Sequence, residues 1–96
     1  MNAEYQVSYR AVRKAVEILK GWNFSIIRTG KTGGIFDLVG IRASDMIGIR
    51  VKSCPINKVP SLEEEKKELK NIEAPANFRK ELWIYERRRG FHFISI

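Results

Sequence analysis

A chain of 96 residues has room for one hydrophobic core and no second. Its apolar share of 44% and aromatic share of 10% are those of a folded protein and exclude a disordered polyelectrolyte, while 18 Lys and Arg against 11 Asp and Glu leave a net charge of +7. Such a field draws polyanions, nucleic acid first among them, because Lys and Arg contacts to phosphate dominate that affinity.

Cys54 is the single cysteine, so an intrachain disulfide is excluded, and with one His far away in sequence a zinc site is not expected. No apolar run of signal-peptide or membrane-span length is present, and an intracellular protein is expected. At this size folding buries only about two-thirds of the chain's surface. A homodimer is therefore expected.

From Ala3 to Lys20 the pattern is helical. Tyr5, Tyr9, Val12, Val16 and Leu19 recur at helical spacing and predict the buried face, which Ala11, Ala15 and Ile18 widen, with Gly21 as the stop. Phe24 to Arg28 reads as a short strand, and Gly30-Lys31-Thr32-Gly33-Gly34 as part of a glycine-rich loop. Ile35 to Ile41 and Met46 to Ser53 are strands joined by a polar turn. In the second of these Ile47, Ile49 and Val51 alternate with Gly48, Arg50 and Lys52. Ser61 and Glu64 have the spacing of a capping box that opens a second helix, which Pro75 ends. Glu81 to Glu86 and Phe91 to Ile96 form a last strand pair around Arg87-Arg88-Arg89-Gly90. The expected order is α-β-β-β-α-β-β, a mixed central sheet flanked by helices in one α/β domain spanning residues 1–96.

Gly30-Lys31-Thr32 is not a nucleotide-binding P-loop, since Ser25 stands where the motif needs its first Gly and a strand follows instead of a helix. The loop is either a plain connector or a place where Lys31 and backbone N–H groups meet phosphate. The hairpin from Ile35 to Ser53 carries more. Pairing Ile41 with Met46 across its turn sets Asp37 opposite Arg50 and puts Asp37, Arg50 and Lys52 on one face; a one-residue slip would separate them. An acid among Ile35, Phe36, Leu38 and Val39 is costly unless it has a partner or a role.

The ordered set Gly21-Trp22, Arg28-Thr29-Gly30, Phe36-Asp37-Leu38-Val39 and Ile49-Arg50-Val51-Lys52-Ser53 resembles the PD-(D/E)xK nuclease superfamily, and within it the archaeal Holliday junction resolvases. The resemblance implies a restriction-endonuclease-like fold and a Mg²⁺- or Mn²⁺-dependent endonuclease acting on DNA, branched DNA in particular. It implies that Asp37 is the first metal-binding carboxylate, Lys52 the catalytic lysine, Glu4 an accessory metal ligand on the first helix, and Lys31 part of a junction-facing loop. Arg28, Arg50, Arg87, Arg88 and Arg89 are the further expected DNA contacts.

One position departs from the family. Its second carboxylate belongs at position 50, where this chain has Arg, which carries a permanent charge and cannot bind Mg²⁺. Two readings follow. Either Arg50 forms a cross-strand ion pair with Asp37 in a fold that binds DNA without cutting it, or the second acid has moved to the next helix. Glu65, thirteen residues after Lys52, then becomes a metal ligand. A basic RNA- or protein-binding domain is a third, undivided alternative. Of the remaining residues, Trp22 is expected in the core and His92 on the surface. Trp83, Tyr85, Phe91 and Phe93 are expected to pack in a core or interface rather than to form a stacking platform.

Overall fold

The computed structural model describes residues 9–29 and 35–96. Helix α1 (Tyr9–Gly21) buries Ala11, Ala15, Val16 and Leu19. Two alanines at the contact let the helix lie close to the sheet, so the buried stripe is centred on them. Most of the expected face is buried or packed against the core, but Tyr9 is 68% exposed, and Tyr5 lies outside the described residues. The helix stops at Gly21, as expected. The chain then reverses at Asn23, whose φ of 67° is left-handed. Phe24 N–H then bonds to Leu19 C=O (3.1 Å) and Asn23 N–H to Lys20 C=O (3.0 Å), the paired bonds of a Schellman ending. Phe24 and Leu19 both enter the core beneath it.

Five strands make one mixed sheet in the order β1-β2-β3-β4-β5, with β1 (Ser25–Arg28), β2 (Leu38–Arg42), β3 (Asp45–Cys54), β4 (Phe78–Glu86) and β5 (Gly90–Ser95). Among the described residues only the β3–β4 pair is parallel, and helix α2 (Glu63–Lys70) lies in the connection between them, as a parallel pair requires. The architecture is therefore α/β with a five-stranded mixed sheet and two helices, and its element order is the expected one. Among the described residues no helix is long and apolar enough to cross a membrane.

Strand β3 is the spine. Ile47, Ile49 and Val51 are fully buried on the α1 side with Leu38, Trp83 and Phe24. On the other side Cys54, Leu62, Leu69, Leu82 and Ile84 form a second core beneath α2. Gly48 is closely covered on that side: a Cβ there would sit 2.8 Å from Phe78 Cζ and 3.0 Å from Phe36 Cδ1.

The capping box does not form. Helix α2 starts at Glu63 with Leu62 at its N-cap and no side-chain cap bond. Burying Leu62 and Leu69 decides where this short helix lies, and that leaves Ser61 one residue too early. Its other end stops at Asn71, well before Pro75, and Lys80 Nζ donates to the carbonyls of Leu69 and Ile72, both at 2.8 Å. Trp22 is 45% exposed rather than core, packed edge-on against the sealed Trp83 at 5.8 Å.

Candidate metal and nucleic-acid site

The β2–β3 register is Ile41↔Met46 and Leu38↔Ile49, with Ile41 and Met46 paired as assumed across the polar turn. That turn is closed by Arg42, whose Nε and Nη2 donate to Asp45 at 3.0 and 2.9 Å; Arg79 Nη2 adds a third contact at 3.1 Å. Three bonds on one carboxylate resist slippage, and register is what aligns the residues further along.

Asp37 lies one residue before β2. Its N–H donates to Ile49 C=O at 2.8 Å, and because Leu38 already pairs with Ile49 the register slips by one residue here, so Asp37 does not stand opposite Arg50 as expected. Thr29 braces the same stretch, its N–H donating to Asp37 C=O at 3.2 Å and its hydroxyl to Phe36 C=O. The carboxylate of Asp37 is held in turn: Oδ2 accepts the N–H of Val51 at 2.7 Å. Val51 precedes Lys52, and alternation turns Lys52 to the same α2 side as Arg50.

Half-burial pushes the Asp37 carboxyl above the ordinary aspartate range, against the Val51 N–H and the charges of Arg50 and Lys52, which pull it down. A desolvated carboxylate with one oxygen fixed is a poor resting place for a charge and a good one for a cation's partner.

Arg50 does not pair with Asp37. Its Nη2 goes to Glu68 Oε1 at 2.6 Å and its Nε to Ile35 C=O at 2.9 Å. The expected cross-strand ion pair is replaced because α2 presents a carboxylate directly above the strand, and the long guanidinium reaches it while also satisfying a loop carbonyl. Lys52 Nζ meets Glu65 Oε2 at 3.2 Å, with both side chains largely shielded (13% and 16% exposed). Glu65 and Glu68 are three apart on one helix face, so α2 sets two acids over the two cations of β3. Glu65 was anticipated; Glu68 was not. Extending the helical period one turn from Glu65 would have found it.

Glu4 and Lys31 lie outside the described residues. Arg28 is exposed at the end of β1, but its partner Leu38 faces α1, so Arg28 stands on the side opposite Lys52. Arg87, Arg88 and Arg89 form the exposed β4–β5 turn, with Arg88 at φ 70°. Arg89 Nε lies 3.4 Å from Glu86 Oε2.

Glu86, buried at the end of β4, is a second group the sequence did not single out. Its carboxylate accepts Asn57 N–H at 2.7 Å and is bonded to His92 Nε2 at 2.7 Å. These bonds, Asn57 first, hold its carboxyl below the usual glutamate range. An ionised Glu86 can only accept, so His92 Nε2 carries the hydrogen. His92 is a surface residue, but it has a partner that alternation along β5 could not reveal.

A hard cation such as Mg²⁺ takes oxygen ligands and keeps several waters, commonly binding through one or two carboxylates. Asp37 has the right donor type, and Glu65 is a second carboxylate on the same side of the sheet. Among the described residues no three His, Cys, Asp or Glu side chains form a metal-binding group. Compared with known proteins, the chain matches no protein-family model and no curated sequence.

Proposed function

We propose that this chain is a DNA-binding protein of the PD-(D/E)xK nuclease superfamily with a restriction-endonuclease-like fold, acting as a divalent-metal-dependent endonuclease on branched DNA. The observation that carries the reading is the bond from Val51 N–H to Asp37 Oδ2. It fixes the carboxylate of the resemblance beside the strand residue that precedes its lysine.

Asp37 would hold the cation through the oxygen not committed to Val51, with Glu65 or Glu4 as the second carboxylate. A bound Mg²⁺ or Mn²⁺ supplies Lewis acidity and a water of lowered pKa. Lys52 would serve to orient the attacking water or to offset charge on the phosphate; either role would require it to leave Glu65, whose carboxylate would then be available to hold the metal. Arg50 is no ligand. It neutralises Glu68 and secures the Ile35 carbonyl, so it braces the segment that leads into Asp37. Phosphates of the duplex are met by Arg87 and Arg88 at the exposed turn. A homodimer with two such sites related by a two-fold would match the paired strands of a four-way junction.

A second reading, a DNA-binding module without catalysis, is favoured by Arg50 at the position of the family's second carboxylate and by the Lys52–Glu65 pair. Nicking of a four-way DNA in Mg²⁺ separates the two. The enzyme cuts, and Asp37→Ala or Lys52→Ala lowers the rate at least about a hundredfold while leaving binding in place. Absence of cleavage of any DNA form in Mg²⁺ or Mn²⁺, with salt-sensitive binding retained, leaves the module. Absence of binding even at low salt removes both.

A further inference from the structure

The two sides of the sheet differ in chemistry. Arg50 and Lys52 face α2, where they meet Glu68 and Glu65, and Asp37 accepts the N–H of Val51 between them. On the other side, α1 packs against β1 and β3. Next to that helix the registers Val51↔Trp83↔Phe93 and Ser53↔Tyr85↔Phe91 bring four rings of β4 and β5 to the α1 side. Trp83 is sealed at the bottom.

The others form a continuous row with Trp22, which leaves the end of α1. Centroid separations are 5.2 Å from Tyr85 to Phe91, 5.8 Å from Phe91 to Phe93 in stacked orientation, and 6.2 Å from Phe93 to Trp22. One end of the row is open to solvent, with Phe93 50% and Trp22 45% exposed. The other is roofed by Lys14, whose Nζ stands 5.4 Å from the Tyr85 centroid.

Adjacent exposed rings of this size are favourable to cover. Charge decides by what. The α1 flank bordering the row carries Lys14 and, one turn earlier, Arg10, and the helix as described holds Arg10, Arg13, Lys14 and Lys20 against Glu17 alone. A second copy laid on this face would bring like charges together. A strand of unpaired bases instead sets π faces on the rings and phosphates beside the cations.

We propose that the Tyr85–Phe91–Phe93–Trp22 row, with Lys14 at its edge, is a base-stacking platform for single-stranded DNA on the side of the sheet opposite Lys52. This goes beyond the endonuclease reading and does not depend on it, since stacking needs neither metal nor the lysine.

Tryptophan emission reports the site, because Trp22 is exposed and Trp83 sealed. Titrating the full chain with oligo(dT) in EDTA quenches Trp22, and Trp22→Leu removes the quench. Phe93→Leu and Trp22→Leu each weaken single-strand binding about tenfold, the scale of one stacked base, while duplex affinity moves less than about twofold. Both variants keep apolar bulk at half-exposed positions, so the fold, checked by circular dichroism, is retained. Sedimentation equilibrium gives the same mass for parent and variants. The proposal is overturned by an absent quench, by equal losses for single strand and duplex, or by a mass that halves in Phe93→Leu, which makes the row a self-association surface. None of these outcomes touches metal-dependent cleavage of four-way DNA, so the two proposals fail separately.

Discussion

Asp37 and Glu86 are the two carboxyls whose surroundings pull in opposite directions, and each leaves its own mark on stability. Burial raises Asp37. A carboxyl with a folded pKa above its unfolded one favours the folded state most when protonated, and that contribution is lost as pH rises through the folded value. At neutral pH the ionised Asp37 is therefore a net cost. Asn keeps an acceptor for Val51 N–H without the charge. Asp37→Asn is expected to melt higher than the parent at pH 7, by a few degrees, with the gain shrinking as pH falls through the raised Asp37 value. Such a gain in stability at the expense of activity is typical of a functional site; a variant that melts lower at pH 7 would contradict it.

Glu86 has the reverse sign. Its depressed pKa adds stability above the ordinary glutamate value and loses it as pH falls through the folded one. Glu86→Gln should lower the melting temperature at pH 7 and converge on the parent in acid. Melting curves between pH 3 and pH 7 decide it, and a gap that widens in acid would rule the account out.

At the scale of elements, α2 shows packing overriding a local signal. Ser61 and Glu64 have the right spacing, yet the helix begins beyond Ser61, where Leu62 and Leu69 can both reach the second core. Ser61→Ala should therefore change stability by less than about 0.5 kcal/mol, where a working cap would lose about 1 kcal/mol. Leu69→Ala, which empties a fully buried position, should cost about 2–5 kcal/mol. Urea denaturation of the two variants measures both; a larger loss at Ser61 would restore the capping box. The placement of α2 has a functional consequence as well. Two carboxylates of its inner face, Glu65 and Glu68, reach Lys52 and Arg50, so the helix that closes the core also sets the charge of the candidate site.

For the whole molecule, the net charge of +7 would be the basis of the proposed DNA affinity, and its distribution is testable. Each phosphate neutralised contributes about −0.9 to the slope of log K against log salt on duplex DNA. Arg87 and Arg88 are exposed, and among the described residues no salt bridge engages either. Replacing both with Ala should reduce the slope by about 2 without altering the fold, as fluorescence anisotropy over a salt series would record. An unchanged slope would remove this turn from the interface.

Alternation and the polar turn were enough to anticipate the order of elements and the Ile41↔Met46 pairing, because a period of two leaves few ways to bury Ile47, Ile49 and Val51 together; the one-residue slip that moves Asp37 off Arg50 left no mark in that pattern. Glu65, which lies near Lys52, was singled out by the family resemblance and not by this reading. Alternation failed where the outcome depended on contacts far apart in sequence. Arg50 chose Glu68 over Asp37 because α2 lies above it, and Glu86 gathered Asn57 from a loop and His92 from the next strand. Trp22 stayed at the surface because Asn23 turned the chain one step beyond it. The Asp37–Lys52 hairpin could be read as a pattern, since its parts are neighbours in the ladder. Which carboxylate serves which cation was decided only by how the helices settled on the sheet.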